Sequence, residues 1–167
     1  MALISNVLKT YRAPRQAVRG VLEMGRREDL MVVYLLLACA LIFASQWPAL
    51  ARQAYLDPAI PLQALLAISA MVWLMAFPLI AYILAFVLYL LTRVVGMGTT
   101  GYGSRVALFW AMLAASPLWL FWGMVKGLAA PGAAESAVAA LTLGAFLFFL
   151  VAGLLEAGRA RDEVSDV

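Results

Sequence analysis

The chain is 167 residues long, 66% hydrophobic and only 13% charged, with a mean hydropathy of +0.96. So little polar surface cannot cover a core of that size, which excludes a water-soluble domain. The net charge of +3 is no nucleic-acid signature here, because the basic residues cluster beside apolar runs, where they set orientation in a bilayer. Cys39 is the only cysteine and there is no histidine, which excludes an intramolecular disulfide or multi-cysteine metal site and removes the commonest metal ligand and general base.

Residues 1–29 carry Lys9, Arg12, Arg15, Arg19, Arg26 and Arg27 along their length, too much charge for a signal h-region, so the segment is expected to be retained. Leu3, Ile4, Val7, Leu8 and Tyr11 recur at helical spacing opposite Asn6, Lys9 and Thr10. After Ala13 and Pro14, the residues Ala17, Val18, Val21 and Leu22 repeat the pattern opposite Arg15, Gln16, Arg19 and Glu23. This predicts two short amphipathic helices. Two destinations suit them: the headgroup layer of an anionic cytoplasmic leaflet, or the end of a membrane bundle that they cover.

The first uncharged run, Leu30 to Ala51, opens on Glu28 and Asp29 and contains Trp47 and Pro48 near its end, which predicts a crossing over about 30–49. A polar loop, Arg52 to Asp57, precedes the longest run, which has no charged residue between Asp57 and Arg93. Pro78 lies inside it between apolar neighbours that offer no polar turn. The expectation is one long, kinked helix over 62–92, with a break near Pro78 as the alternative.

Arg93 to Arg105, with Gly96, Gly98, Gly101 and Gly103 beside Thr99, Thr100 and Ser104, reads as a flexible polar connector. It lacks the Gly-Lys-Ser/Thr ending of a Walker loop and the context of a dinucleotide loop, so no nucleotide or other cofactor is assigned. A crossing over 106–125 follows, carrying Trp110, Trp119, Trp122 and a Ser116-Pro117 kink. After an Ala/Gly/Pro loop the last crossing, over 136–155, presents Gly144 and Gly153 with Ala137, Ala140 and Ala145 as small faces for helix packing. Residues 158–167 are a polar tail.

Four crossings place Lys9, Arg12, Arg15, Arg19, Arg26, Arg27, Arg93, Arg105, Arg159 and Arg161 on one side and leave only Arg52 and Lys126 on the other. A fifth crossing at Pro78 would destroy that asymmetry. The positive-inside rule therefore selects four helices with both termini cytoplasmic. The predicted class is all-α: a polytopic membrane helical bundle of four transmembrane helices, alternatively five, over residues 30–157, preceded by short amphipathic interfacial helices.

The uncharged runs hold no Asp, Glu, Lys, Arg or His, so nothing at membrane depth is suited to binding and releasing a coupled ion or to serving as the base of an intramembrane hydrolase. The expectation is a non-catalytic scaffold or adaptor that contacts lipid, another membrane protein or a second copy of itself. Lys9, Arg12, Arg15, Arg19, Gly98, Gly101 and Tyr102 are the candidate contact residues. The alternative is a passive channel or carrier for a small neutral solute, hinged at Pro78 and Pro117.

The entry Gly25-Arg26-Arg27-Glu28-Asp29, the Gly-rich connector, Ser104-Arg105-Val106-Ala107-Leu108-Phe109-Trp110-Ala111 and Ala115-Ser116-Pro117-Leu118 together resemble small bacterial, alphaproteobacterial-type proteins of the Yip1 family. The resemblance covers about residues 10–157 and implies a multi-pass protein of the bacterial inner membrane. Eukaryotic members carry Asp-Leu-x-Gly-Pro before the first crossing. Here Asp29-Leu30 is followed by Met31-Val32-Val33, and only Gly101-Tyr102 matches their second, Gly-Tyr element. Their traffic role with Rab-class GTPases is therefore not carried over.

Overall fold

The computed structural model describes residues 10, 11, 13–23, 25, 27–128 and 132–165. Among the described residues there is no strand, and the helices are α1 (Pro14–Glu23), α2 (Glu28–Leu56), α3 (Leu62–Val94), α4 (Gly101–Leu128) and α5 (Ala133–Ser165), with Thr10 and Tyr11 also helical. The last four are each long and apolar enough to cross a membrane. This is the architecture of a multi-pass membrane protein, four helices preceded by a short amphipathic one.

In hydrocarbon every backbone polar group needs a partner within the protein, and this explains how α3 passes Pro78. The turn before it, Met71–Ala76, widens to π-helical hydrogen bonding and the α-helix resumes at Phe77. A proline removes one N–H and crowds the carbonyl four residues earlier; a π-bulge relieves that crowding without ending the helix. Pro48 and Pro117 are likewise enclosed within α2 and α4.

The first half of α4 is the central post. Val106, Ala107, Leu108, Phe109, Trp110 and Ala111 are all at most 1% exposed, because α2, α3 and α5 and the N-terminal segment surround them. A helix apolar on every side is expected in such a place. Tyr34 of α2 meets the Trp110 ring edge-on at 5.5 Å and Tyr82 of α3 meets Phe109 at 5.1 Å, a favoured arrangement of aromatic quadrupoles. By contrast α3 is peripheral. Only 11% of its most apolar stretch is buried inside the chain, and Ile68, Met71, Met75, Leu79, Ile83 and Phe86 point outward.

The small-residue contacts differ from the expected ones. Gly153 does meet another helix, with Ala107 3.1 Å from where its Cβ would stand, but Gly144 has nothing within 4 Å. The tightest approach is instead between α2 and α4. A Cβ on Gly123 would overlap the Ser45 backbone carbonyl, and one on Gly127 would overlap Pro48. Gly123 and Gly127 form a GxxxG pair, whose missing side chains let two backbones touch.

Candidate functional site

The described part of the N-terminal segment packs lengthwise against the bundle. Tyr11 donates its hydroxyl proton to the Ala114 carbonyl at 2.8 Å, and the Trp110 indole N–H donates to Thr10 Oγ1 at 3.2 Å. Further along, Val18 and Ala107 flank Gly153, and Gly25 lies at Tyr102. Numbers rising along α1 meet numbers falling along α4, so the segment runs antiparallel to α4 over the roughly 18 Å between Tyr102 and Ala114. Burial raises the Tyr11 hydroxyl above its ordinary pKa of 10.0, which keeps it a donor. The apolar face of the segment meets rings and small residues of α4 and α5, with Tyr11 edge-on to Phe149 at 5.3 Å and Val18 beside Gly153.

The polar residues gather where α1 turns into α2, α3 ends and α4 begins. Tyr102 joins the parts. Its hydroxyl donates to the Gly25 carbonyl at 3.0 Å and accepts the Arg27 backbone N–H at 3.3 Å, which fixes the link between α1 and α2 at Gly25, a residue with φ of 80° that only glycine adopts freely. Arg105 of α4 pairs with Glu28 of α2 at 2.8 Å. Arg19 of α1 pairs with Glu23 at 3.1 Å and lies 3.9 Å from Glu156 of α5, a carboxylate residue only 7% exposed.

The glycine stretch is only half a connector. Gly96 and Gly98 turn the chain with φ of 77° and 64°, but α4 already begins at Gly101 and Tyr102, Gly103 and Ser104 are buried. Gly103 faces Ala157, and Gly158 lies so close to the Met97 carbonyl that a Cβ would displace it. These contacts, together with Ala157 buried at 4%, explain why α5 continues past the Leu155 end that the apolar run suggests; the helix runs on to Ser165. The hydroxyl of Thr99, 2% exposed, has no hydrogen-bond partner among the described residues.

Of the candidate contact residues, Lys9 and Arg12 lie outside the described residues. Arg19, Gly98, Gly101 and Tyr102 come together at this end, with Arg19 and Tyr102 inside the network. Arg15 stands apart, exposed on the rim of an α1–α5 groove of about 430 Å³ that Phe148 and Val151 also line. Glu28 and Glu156 are carboxylates that the sequence offers for a cytoplasmic-face site, whereas Arg93, Thr99 and Arg105 were missed as site residues. The two arginines flanking the glycines were a readable signal, used only for orientation. No family model, curated protein or solved structure matches the chain.

Proposed function

We propose that the chain is a non-catalytic membrane scaffold or adaptor of the Yip1 type, multi-pass in the bacterial inner membrane, whose polar end holds another membrane protein. One observation carries this reading: that end is a single platform built from four separate segments, tied by Tyr102 to Gly25 and Arg27, Arg105 to Glu28 and Arg19 to Glu156. The filled bundle axis supports it over a channel, since Leu108, Phe109 and Trp110 occupy the place of a path between the helices. The Yip1 assignment rests on the residues quoted for the resemblance.

Placement of the platform in the cytoplasm rests on the lysine and arginine distribution. Reporter fusions after Asp57 and after Val167 are expected to read outside and inside; an external C-terminus would overturn the orientation.

The scaffold role is tested with a photo-crosslinking amino acid at exposed Asp29 on the platform, compared with one at Met75 on α3. Position 29 is expected to give an adduct of one defined mass and position 75 none. Tyr102→Phe, which removes hydrogen bonds worth about 1–2 kcal/mol, should weaken that adduct several-fold while the bundle stays folded. No adduct, combined with protein-dependent glycerol flux in liposomes, would favour the channel.

A further inference from the structure

We propose that the cleft between the end of α3 and the start of α4 binds an anionic phospholipid, its phosphate between Arg93 and Arg105 and its acyl chain along the α3 aromatics. Two cavities meet there. One, of about 490 Å³, is lined by Tyr82, Phe86, Tyr89, Gly101 and Arg105. The other, of about 340 Å³, is lined by Tyr89, Arg93, Gly96, Gly98 and Thr99. Tyr89 lines both, so the two adjoin at its side chain, and a lipid long enough to follow α3 would span them as one groove.

The lining is graded along the helix. Tyr82, Phe86, Tyr89 and Arg93 are spaced i, i+4, i+7 and i+11, which puts them on one face of α3 over about 16 Å. The groove therefore runs from charge at the membrane boundary to aromatic carbon inside it, the polarity gradient of a phospholipid. It opens sideways: Phe86 is 60% exposed and its neighbours Ile83 and Leu90 face outward, where lipid is the solvent.

Charge selects the headgroup. Arg93 donates to the Tyr89 hydroxyl at 3.4 Å and has no carboxylate partner among the described residues. Arg105 is held by Glu28 at 2.8 Å and by the Gly101 carbonyl at 3.2 Å. Each guanidinium has five N–H donors in a planar fork suited to phosphate, and two arginines against one carboxylate leave the groove with a net positive charge. Thr99 also lines it. Basic pockets between membrane helices favour anionic headgroups on these grounds. The inference rests on the bundle's place in a bilayer and not on the scaffold role.

The test uses the purified full chain in mixed micelles with phosphatidylglycerol or phosphatidylcholine bearing a photoreactive acyl chain, and maps the labelled peptide. Labelling of 82–89 is expected to be about fivefold stronger from phosphatidylglycerol, the scale of one cation beside an anionic lipid surface. Arg93→Gln should remove most of that preference. Glu28→Gln, which releases Arg105 without removing it, should increase it. Equal labelling by the two lipids, or a preference that neither variant changes, would overturn the proposal. Excess soluble glycerol 3-phosphate should not compete; if it does, the aromatic half of the groove plays no part and the lipid assignment fails.

Discussion

Replacing Gly123 with alanine is expected to destabilise the protein by about 1–3 kcal/mol, the cost of forcing one methyl into filled space, and leucine should prevent the native bundle from forming. The added Cβ would coincide with the Ser45 backbone carbonyl of α2, and a backbone atom cannot swing aside as a side-chain tip does. The same residue lies where α2 is least able to adapt. Pro48 has already removed one hydrogen bond from that turn, and Ser45 turns its hydroxyl back onto the Ile42 carbonyl at 2.6 Å. Gly144→Ala is the matched control. Its Cβ would meet nothing within 4 Å, so only the helix preference of alanine over glycine acts, a gain of about 0.5–1 kcal/mol. Unfolding in a detergent titration should therefore move in opposite directions for the two variants. Equal midpoints for Gly123→Ala and wild type would show that α2 and α4 separate freely.

The sequence made some of these features readable and hid others for definite reasons. The four crossings were legible because uncharged runs of that length have one stable form in lipid, and Pro78 was correctly discounted as a break for the same reason: a helix end inside hydrocarbon would strand backbone groups. The π-helical turn that accommodates it leaves no mark in composition. The docking of α1 was not decidable, since Val18 and Val21 offer an apolar face that suits a lipid surface as well as it suits Gly153 and Ala107. Gly101 to Ser104 looked like connector because glycine and serine disfavour helix locally; burial of Tyr102 and Gly103 against other segments overrides that preference. The Gly123 and Gly127 spacing is visible in the sequence, but a GxxxG pair does not declare its partner, and the glycines and alanines of α5 offer small faces just as plainly. Arg93 and Arg105 were visible as charges and not as lining of adjoining cavities, because which end of α4 comes beside the end of α3 depends on how Gly96 and Gly98 turn the chain.

Removal of the Trp110 ring is expected to release the N-terminal segment before it unfolds the bundle. Trp110 is 1% exposed and joins three parts: its indole N–H reaches Thr10 at 3.2 Å, its ring meets Tyr34 of α2 at 5.5 Å, and it sits on the α4 face against which the N-terminal segment runs. Large-to-small changes at buried aromatics cost about 3–5 kcal/mol when the surroundings cannot collapse. The long helices α2 and α5 each pack extensively on α4, whereas the described residues of the N-terminal segment are held chiefly through buried Thr10, Val18 and Val21 and the Tyr11 hydrogen bond. The loss should therefore fall on the segment with the smallest stability of its own. Trypsin reports it directly, since Arg15 and Arg19 lie in α1. If cleavage follows the population of the undocked form, a loss of about 3 kcal/mol raises the rate at these residues roughly 100-fold, while cleavage at Arg93 and Arg105 should change little. Trp110→Phe keeps the aromatic contact with Tyr34 and loses only the donor to Thr10, a change of about 0.5–1.5 kcal/mol, so its cleavage should lie between the two. Unchanged proteolysis in Trp110→Ala would mean that α1 is anchored elsewhere, and equal acceleration at every arginine would mean that Trp110 holds the whole bundle and not the N-terminal segment in particular.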